Sequence, residues 1–465
     1  MPPRSPKLTI VANRLPMTAD DNGILRPSPG GLASALASLS AHAPMRWIGA
    51  APATADEIFV DDGVIGIGLD DLDREGHHRF SNCLLWPALH GLAGDPTEQV
   101  EPWWRVAYDR VNESFALGIA AQAPECSTVW IHDYHLLLVP SRLAQLRPDL
   151  HIGYFLHTPF HSVDRFRRLP GSAALLDGLR GAQLIGVQTD DDAARLREAM
   201  RRMTWAEAGP IPEPAVVEAF PISVDARTID SAGADPVVGR EAARLRAALG
   251  DPEFVLLGVD RLDYTKGIPT RLDALRSTLE SGDLPGSGDA VFVQVSVPSR
   301  EDLGAYAQER AAVEERVDSL NADFGSPGHP MVVHLERSFG QLDLLSLYRA
   351  ADVLVVSSVC DGMNLVAKEY VAARGDDGGA LVLSRGAGAS HELEDAFLVE
   401  PRTTSVAAGM VAAVHADDTE RRRRMSSLRE QVMGHDVDRW SSSFLDRLAL
   451  LGSSAGPIAT SGRAA

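Results

Sequence analysis

The chain has 465 residues, 45% of them hydrophobic, so it is long enough for two or three domains with ordinary apolar cores. The formal net charge of −20 argues against nucleic acid or an acidic membrane surface as the main partner. Three cysteines, Cys83, Cys126 and Cys360, share no metal-binding or redox spacing, which favours a reducing compartment. The N-terminus has no apolar signal core, so we expect a cytoplasmic protein.

Short apolar runs alternate with helical patterns along the chain. In chain order the runs are LTIVAN (8–13), STVWIHDY (127–134), HIGYFLHTPF (151–160), AQLIGVQT (182–189), EAFPISVD (218–225), FVLLGVDR (254–261), AVFVQVSVPSR (290–300), MVVHLE (331–336), DVLVVSS (352–358) and ALVLSR (380–385). Such runs are typical of buried parallel strands, and their alternation with helices indicates βαβ units. The pattern predicts an α/β protein with doubly wound sheets.

A change in composition marks the predicted domain boundary. The segment SVDARTIDSAGADPVVG (223–239) is small, polar and rich in turn formers. We therefore predict an N-terminal domain over 1–225 and a C-terminal domain over 226–437. The end of the chain, 452–465, has the composition of a disordered tail.

Ligands of open α/β sheets bind beyond the carboxyl ends of the strands, so the residues after each apolar run are site candidates. Arg14 follows the first run, and Gly30-Gly31 then opens a helix whose start favours an anion. A tight turn before a helix explains the glycines equally well. Arg261 and Lys266 follow another run, and two cations in one loop suit a diphosphate, although solvated surface charges are common.

Three further strand ends carry polar side chains, namely Asp133, His157 and Arg300. A lone histidine in such a place is more often structural than catalytic. The sequence IHDYH (131–135) has one carboxylate and no matching partner cluster, so we predict no metal site and no cofactor.

The stretch DVLVVSSVCDGMNLVAKEYVAARG (352–375) joins an apolar run directly to a helical pattern. Asp361 stands at the strand end, where it can accept hydrogen bonds from sugar hydroxyls. The amides of Met363, Asn364 and Leu365 are predicted to form a helix N-terminus directed at phosphate.

The same helix carries Lys368 and Glu369. Glu369 is placed to accept from a ribose diol, as acidic residues do in nucleotide-binding domains. The alternative is a capped helix with an exposed Lys368–Glu369 pair. Together with Arg261 and Lys266, the stretch favours a nucleotide-sugar site.

These motifs resemble the trehalose-6-phosphate synthase family of retaining glycosyltransferases. The matching words, in the family's order from about residue 8 to 400, are VANRLP, GGLASAL, FSNCLLWPALHGL, VWIHDYHLLLVP, FLHTPF, VDRLDYTKGI, VPSRED and CDGMNLVAKEYVAA. The resemblance implies a GT-B fold, in which two Rossmann-like doubly wound domains face an interdomain cleft. It also implies that the terminal helix, 438–451, returns to the N-terminal domain.

The resemblance implies a donor site and an acceptor site on particular residues. For the donor, a nucleoside-diphosphate glucose, the implied contacts are Gly30, Gly31, Arg261 and Lys266 near the diphosphate, His157 and Asp361 on the transferred glucose, Glu369 on the ribose and the backbone near Phe339 on the base. For the acceptor, glucose 6-phosphate, they are Arg14, Trp86, Asp133 and Arg300. The family reaction is front-face attack with retention, with Arg261, Lys266, His157 and Asp361 in the catalytic centre and no metal.

Two positions depart from the family pattern. His77 in GHHRFSN stands where the family has a tyrosine that helps to bind the acceptor phosphate, and His161 replaces a proline. We expect His77 to donate to that phosphate and to respond to pH.

Several alternatives stay open. The acceptor could be glycerol phosphate or a cyclitol phosphate, and a catalytically silent regulatory subunit is a third interpretation. The uracil, guanine and adenine donors are not distinguished by the sequence, which is also compatible with a homo-oligomer.

Overall fold

The computed structural model describes two compact units of the chain. The described residues are 7–19, 25–27, 35–36, 45–51, 59–61, 63–94, 100–203 and 215–454. The N-terminal unit comprises Met1–Gly94, Gln99–Phe220 and Asp438–Ala465, and the C-terminal unit comprises Asp95–Glu98 and Pro221–Val437. Gly30, Gly31 and the tail from 455 onward lie outside the described residues.

The N-terminal unit is built on one large sheet. Its described strands are β1 (Leu8–Val11), β2 (Met17–Ala19), β3 (Leu25–Pro27), β4 (Met45–Ala50), β5 (Phe59–Asp61), β6 (Val64–Ile67), β7 (Thr128–His132), β8 (His151–Phe155), β9 (Leu184–Val187) and β10 (Val216–Ala219). Eight of these form the order β10-β9-β8-β7-β1-β4-β6-β5, and β2 pairs with β3 separately. Within the eight, the β5–β6 pair is antiparallel and the remaining described pairs are parallel.

Helices connect these parallel strands, as crossovers between parallel strands require. They are α1 (Asp71–Arg79), α2 (Trp86–Leu89), α3 (Pro102–Gln122), α4 (Val139–Leu146), α5 (Val163–Arg167), α6 (Ser172–Leu179) and α7 (Asp190–Arg202), with a π-helical segment at Phe80–Leu85 and a 3₁₀ turn at Tyr134–Leu136. Helix α7 begins after Thr189, whose hydroxyl accepts from the amide of Asp192 at 3.1 Å. Thr189 is therefore the cap, and the acidic residues Asp190–Asp192 form the first turn of the helix, where carboxylates are favoured.

The C-terminal unit contains a wholly parallel sheet of six described strands. They are β11 (Phe254–Arg261), β12 (Ala290–Val297), β13 (Val332–Leu335), β14 (Val353–Val356), β15 (Ala380–Ser384) and β16 (Phe397–Val399), in the order β13-β12-β11-β14-β15-β16. Every residue of β14 and β15 is buried, which explains their unbroken apolar sequences. The strand order reverses between β11 and β14, so the ligand crevice of this sheet is expected beyond those two strands.

The helices of this unit are α8 (Ala226–Gly233), α9 (Pro236–Ala248), α10 (Ile268–Ser281), α11 (Gly304–Phe324), α12 (Gln341–Ala350), α13 (Leu365–Ala373), α14 (Thr403–His415) and α15 (Asp418–Gly434), with 3₁₀ turns at Tyr264–Lys266 and Gly388–His391. None of the described helices is both long and apolar enough to cross a membrane. The arginines of α15 are engaged by acidic neighbours, for example Arg423 by Glu420 at 2.9 Å.

Helix α16 (Val437–Ser454) ends the described chain. Its Phe444 ring stacks on Trp130 of β7 with centroids 4.6 Å apart, and Trp440 lies 5.0 Å from the same indole. Arg447 binds Glu218 of β10. This helix therefore packs on the sheet of the N-terminal unit, and it continues three residues beyond its predicted end.

The predicted α/β class with two doubly wound sheets is confirmed. Strands β2, β3, β4, β5, β6 and β16 were not predicted from the sequence; four of these, β2, β3, β5 and β16, have only three residues each.

Candidate functional site

The centre of the candidate donor site is an ion pair at the switch point of the C-terminal sheet. Lys266 follows β11 and Asp361 follows β14, 95 positions later, and Lys266 Nζ lies 2.5 Å from Asp361 Oδ2. Both side chains are mostly buried, with 11% and 13% exposure. Arg261 is the last residue of β11, five positions before Lys266, and its side chain is exposed. The structure thus brings Lys266 and Asp361 together, and Arg261 precedes Lys266 in the same segment of the chain.

Local backbone geometry explains how Lys266 reaches this position. Asp263 caps the 3₁₀ turn by accepting from the amide of Thr265 at 3.0 Å. Gly267 ends the turn with φ +65°, and a Cβ there would lie 2.5 Å from the carbonyl oxygen of Ser357. Only glycine fits this conformation and this contact, so the loop can pass close to the end of β14.

The predicted helix start is largely correct, but it lies one or two residues later than expected. Helix α13 begins at Leu365, and Asn364 is its cap with φ 76°. The Asn364 side chain accepts from the amide of Ala367 at 3.0 Å and donates to Asp361 Oδ2 at 3.2 Å. Met363 and Asn364 therefore precede the helix, and the cap residue itself orients the carboxylate. A non-glycine residue in this backbone region is strained, and such strain concentrates at functional sites.

Lys368 and Glu369 do not form the exposed pair that the alternative interpretation required. Lys368 is 1% exposed, and its ammonium contacts Glu392 at 2.6 Å and the carbonyl oxygen of Ile222 at 2.8 Å. Glu369 accepts from the Tyr348 hydroxyl at 2.8 Å, and burial raises the pKa of its carboxyl group. Lys368 is thus a structural cation, while the Glu369 carboxylate is held in place by Tyr348.

Arg300 lies in the C-terminal unit, after β12, with a left-handed backbone at φ 49°. Its Nη1 is 2.9 Å from Asp263 Oδ2, in the loop that carries Arg261 and Lys266. Burial alone would raise the pKa of Asp263, but the charges of Arg300 and Arg261 lower it to about 2. The predicted acceptor residue Arg300 is therefore coupled directly to the predicted diphosphate loop.

Phe339, the predicted neighbour of the base, follows β13 and is partly exposed. The guanidinium of Arg337 lies 4.5 Å from its ring centroid.

In the N-terminal unit, three of the predicted residues, Arg14, Asp133 and His157, stand at the carboxyl ends of neighbouring strands. Arg14 follows β1, is exposed, and its carbonyl oxygen accepts from Trp47 Nε1 at 2.9 Å. Trp86 follows the π-helical segment, and its ring lies 4.1 Å from His90 and 5.6 Å from Tyr134. Segments of π-helix are frequent at functional sites, where they redirect a side chain.

Asp133 and His157 meet because β7 and β8 are adjacent. Asp133 has φ 72°, and its Oδ1 lies 3.3 Å from the amide of His157 and 3.4 Å from that of Thr158. The His157 and His132 rings face each other, with Nε2 and Nδ1 3.0 Å apart. Burial lowers the pKa of His157 to about 3, so both imidazoles are neutral near pH 7. A neutral His157 suits contact with an uncharged sugar hydroxyl.

His77 contradicts the role expected of it as a pH-responsive phosphate donor. Its ring is 4% exposed and stacks on Tyr108 with centroids 5.3 Å apart. Nε2 lies 3.0 Å from the carbonyl oxygen of His135, so this nitrogen must carry the proton and donate it there. Burial lowers the pKa of His77 to about 4, so Nδ1 is a bare acceptor near neutral pH. A phosphate finds no donor on this side chain.

Several residues that support the site were not predicted from the sequence. Asp263, Tyr348, Ser357 and Glu392 hold Arg300, Glu369, the Gly267 loop and Lys368, respectively. Only Asp263 has a local signal, because an Asp two residues before a turn threonine is typical of a side-chain-capped turn. Among the described residues, no group of three or more His, Cys, Asp or Glu side chains is arranged to hold a metal ion.

Comparison with known proteins gives a consistent result. A family model described as "Glycosyltransferase family 20" matches residues 6–450. A trehalose-6-phosphate synthase of Mycobacterium sp. (strain KMS) is 42% identical over 474 residues, covering 97% of this chain and 96% of the relative.

Two solved structures of similar proteins are described with ligands. One from E. coli, bound with UDP-2-fluoro glucose, has a TM-score of 0.82 and 29% identity, covering 95% of this chain and 98% of that one. An α,α-trehalose-phosphate synthase from Burkholderia xenovorans, in complex with glucose-6-phosphate, has a TM-score of 0.84 and 28% identity, covering 95% of this chain and 100% of that one.

Proposed function

The chain belongs to glycosyltransferase family 20, and we propose that it transfers glucose from UDP- or GDP-glucose to glucose 6-phosphate with retention of configuration. The products are α,α-trehalose 6-phosphate and the nucleoside diphosphate. The observation that carries the proposal is the Lys266–Asp361 pair at the switch point, with Arg261 and the start of α13 beside it in the chain. The ligands named for the E. coli and Burkholderia relatives support the substrate classes.

The donor half of the mechanism follows from charge. As the glucosyl–oxygen bond breaks, the departing diphosphate gains negative charge and the sugar becomes oxocarbenium-like. The cations of Arg261 and Lys266 and the dipole of α13 stabilise that developing charge more strongly than the ground state. Asp361 accepts from a hydroxyl of the transferred glucose, and Asn364 holds the carboxylate in orientation through its 3.2 Å hydrogen bond. Glu369 accepts from the ribose.

Retention is proposed through front-face attack. The acceptor hydroxyl enters on the side from which the diphosphate leaves, and an oxygen of the leaving phosphate takes its proton. In this proposal no protein side chain acts as a nucleophile. His157, held neutral by burial, contacts the transferred glucose, while Arg14, Trp86, Asp133 and Arg300 are the proposed acceptor contacts. His77 is removed from that set, because its only ring N–H is directed at a backbone carbonyl.

The test is a panel of UDP-, GDP- and ADP-glucose, each incubated with glucose 6-phosphate, glycerol phosphate and a cyclitol phosphate. We expect α,α-trehalose 6-phosphate from glucose 6-phosphate, with the anomeric configuration read by NMR. A β configuration at the unphosphorylated ring, which comes from the donor, would overturn retention. Turnover only with another acceptor would favour the related transferase, and no turnover with any pair would favour a regulatory subunit. The presence of Asp133, Arg261, Lys266, Asp361 and Glu369 together argues against that last outcome.

A further inference from the structure

A fully buried guanidinium lies beneath the loops of the donor site. Arg271 of α10 is 0% exposed and binds three side chains from different parts of the sheet. Its Nη2 is 2.6 Å from Asp260 Oδ2, its Nη1 is 3.0 Å from Gln294 Oε1, and its Nε is 3.1 Å from Ser357 Oγ. We call Arg271, Asp260, Gln294 and Ser357 the switch-point network.

The network joins the carboxyl-terminal parts of three strands. Asp260 is the penultimate residue of β11, Gln294 lies in β12, and Ser357 directly follows β14. Gly258 of β11 leaves room for the guanidinium, because a Cβ at that position would lie 2.2 Å from Arg271 Nη1. The sheet is therefore shaped to admit the arginine at the end where ligands bind.

Ser357 connects the network to the loop of Lys266. Its hydroxyl lies 2.8 Å from the carbonyl oxygen of Gly267 and 3.1 Å from that of Lys266. The hydroxyl donates to this loop while its oxygen accepts from Arg271 Nε. The segment after Ser357 also binds the Lys266 loop, since the amide of Val359 donates to the carbonyl oxygen of Thr265 at 2.8 Å. Two residues further stands Asp361, the partner of Lys266.

The residue types in the switch-point network suit holding the site loops in position better than adding to the stability of the fold. A buried ion pair contributes little net stability, because desolvation of both charges offsets their attraction. The planar guanidinium fork, however, fixes three partners at once, which a lysine ammonium on a flexible stem does not reproduce. Asp260 also stands immediately before Arg261. By holding the end of β11, the Arg271–Asp260 contact therefore fixes the backbone position from which the Arg261 side chain extends.

We propose that Arg271 is a positioning residue, which fixes the Lys266–Asp361 geometry through the ends of β11, β12 and β14. The effect of Arg271 on catalysis rests on the proposed function. The structural link from Arg271 to the Lys266–Asp361 pair does not. Arg271 touches neither substrate nor reacting atoms in this proposal.

A matched control is available at the amino-terminal ends of the strands of the same sheet. Arg246 Nη1 lies 2.7 Å from Asp352 Oδ2 and 2.9 Å from the carbonyl oxygen of Ala350. Asp352 in turn accepts from the amide of Val255 at 2.7 Å. This arginine–aspartate pair therefore joins the amino ends of β11 and β14 and leaves the site loops untouched.

The experiment compares Arg271→Lys, Ser357→Ala and Arg246→Lys with the wild type in hydrogen–deuterium exchange and in steady-state kinetics. In Arg271→Lys, exchange should accelerate at the hydrogen-bonded amides of Lys266, Val359 and Asp361. The kcat should fall about tenfold or more, with a smaller change in donor KM, because misplacement of the cation weakens transition-state contacts. Ser357→Ala keeps the ion pair and should show the same pattern at smaller amplitude.

Arg246→Lys should accelerate exchange at the amino ends of β11 and β14 and leave kcat within about twofold of wild type. Unchanged exchange in segments 262–267 and 357–361 of both network variants would overturn the inference, as would an equal loss of kcat in the control. If Arg271→Lys does not fold, Ser357→Ala decides. If the wild type forms no disaccharide phosphate but the exchange pattern appears, the proposed function fails and the link stands.

Discussion

Replacing His77 with glutamine should make the stability of the N-terminal unit less sensitive to acid. The His77 ring is 4% exposed, and its Nε2 donates to the carbonyl oxygen of His135 at 3.0 Å. A glutamine amide can donate the same hydrogen bond and has no proton to gain in this pH range. The substitution therefore removes the titration and keeps the contact.

The magnitude follows from the pKa of His77, which burial lowers from 6.5 to about 4. Above pH 6.5 the ring is neutral in both the folded and the unfolded chain, so it contributes no pH dependence. Between pH 6.5 and 4 the unfolded chain binds a proton that the folded chain excludes, so the free energy of unfolding falls as the pH falls. At 1.36 kcal/mol per pKa unit, the full loss is about 3 kcal/mol near pH 4.

The assay is urea unfolding of wild type and His77→Gln from pH 7.5 to 4. The wild type should lose about 3 kcal/mol more than the variant over this range. His391→Gln is the control, because it removes an exposed histidine. Parallel stability curves for wild type and His77→Gln would refute the reasoning. Acceptor KM should have the same pH dependence in both proteins, since His77 presents no donor to a phosphate.

Three further predictions concern charged residues of the C-terminal unit. Lys266→Ala should lower kcat by about 10²-fold, because in the proposed mechanism its charge stabilises the leaving diphosphate; near-normal turnover in steady-state assays would contradict this. Arg300→Ala should raise the KM for glucose 6-phosphate more than that for the donor, since a charge-assisted phosphate contact is lost. The double variant Arg300→Ala/Asp263→Asn tests how much of any increase in donor KM comes from Asp263 losing its Arg300 partner. Equal increases in KM for the donor and for glucose 6-phosphate would assign Arg300 to the donor loop. Lys368→Met should reduce the free energy of unfolding by about 3 to 5 kcal/mol, because Glu392 stays buried without its cation; calorimetry should show partial recovery in Lys368→Met/Glu392→Gln.

Strands with unbroken apolar sequences could be predicted, and those without them could not. DVLVV and ALVLS are buried along their whole length, so their composition alone indicates parallel strands. The strands Phe59–Asp61 and Phe397–Val399 have three residues each, so neither is long enough for a periodic signal. They form because neighbouring strands supply the hydrogen bonds.

Some features of the candidate site could likewise be predicted from the sequence, and others could not. Residues that follow an apolar run, such as Arg261 and Asp361, can be placed at a strand end from the order of residues alone. The state of His77 cannot, because its pKa depends on burial and on the hydrogen bond to His135, which comes from another part of the chain. Lys368 looks like a surface residue in its sequence and is buried in the fold.

By itself, the sequence determined the class of fold, the strand ends that carry polar residues and the helix start after Asp361, because these depend on neighbours along the chain. Only the tertiary structure decided that Lys266 meets Asp361 across 95 positions and that Arg271 lies beneath them. Such contacts depend on the order and spacing of parallel strands, which long crossover connections bring together. Burial then sets the charge states, because desolvation depends on every element that packs around a group and not on its place in the chain.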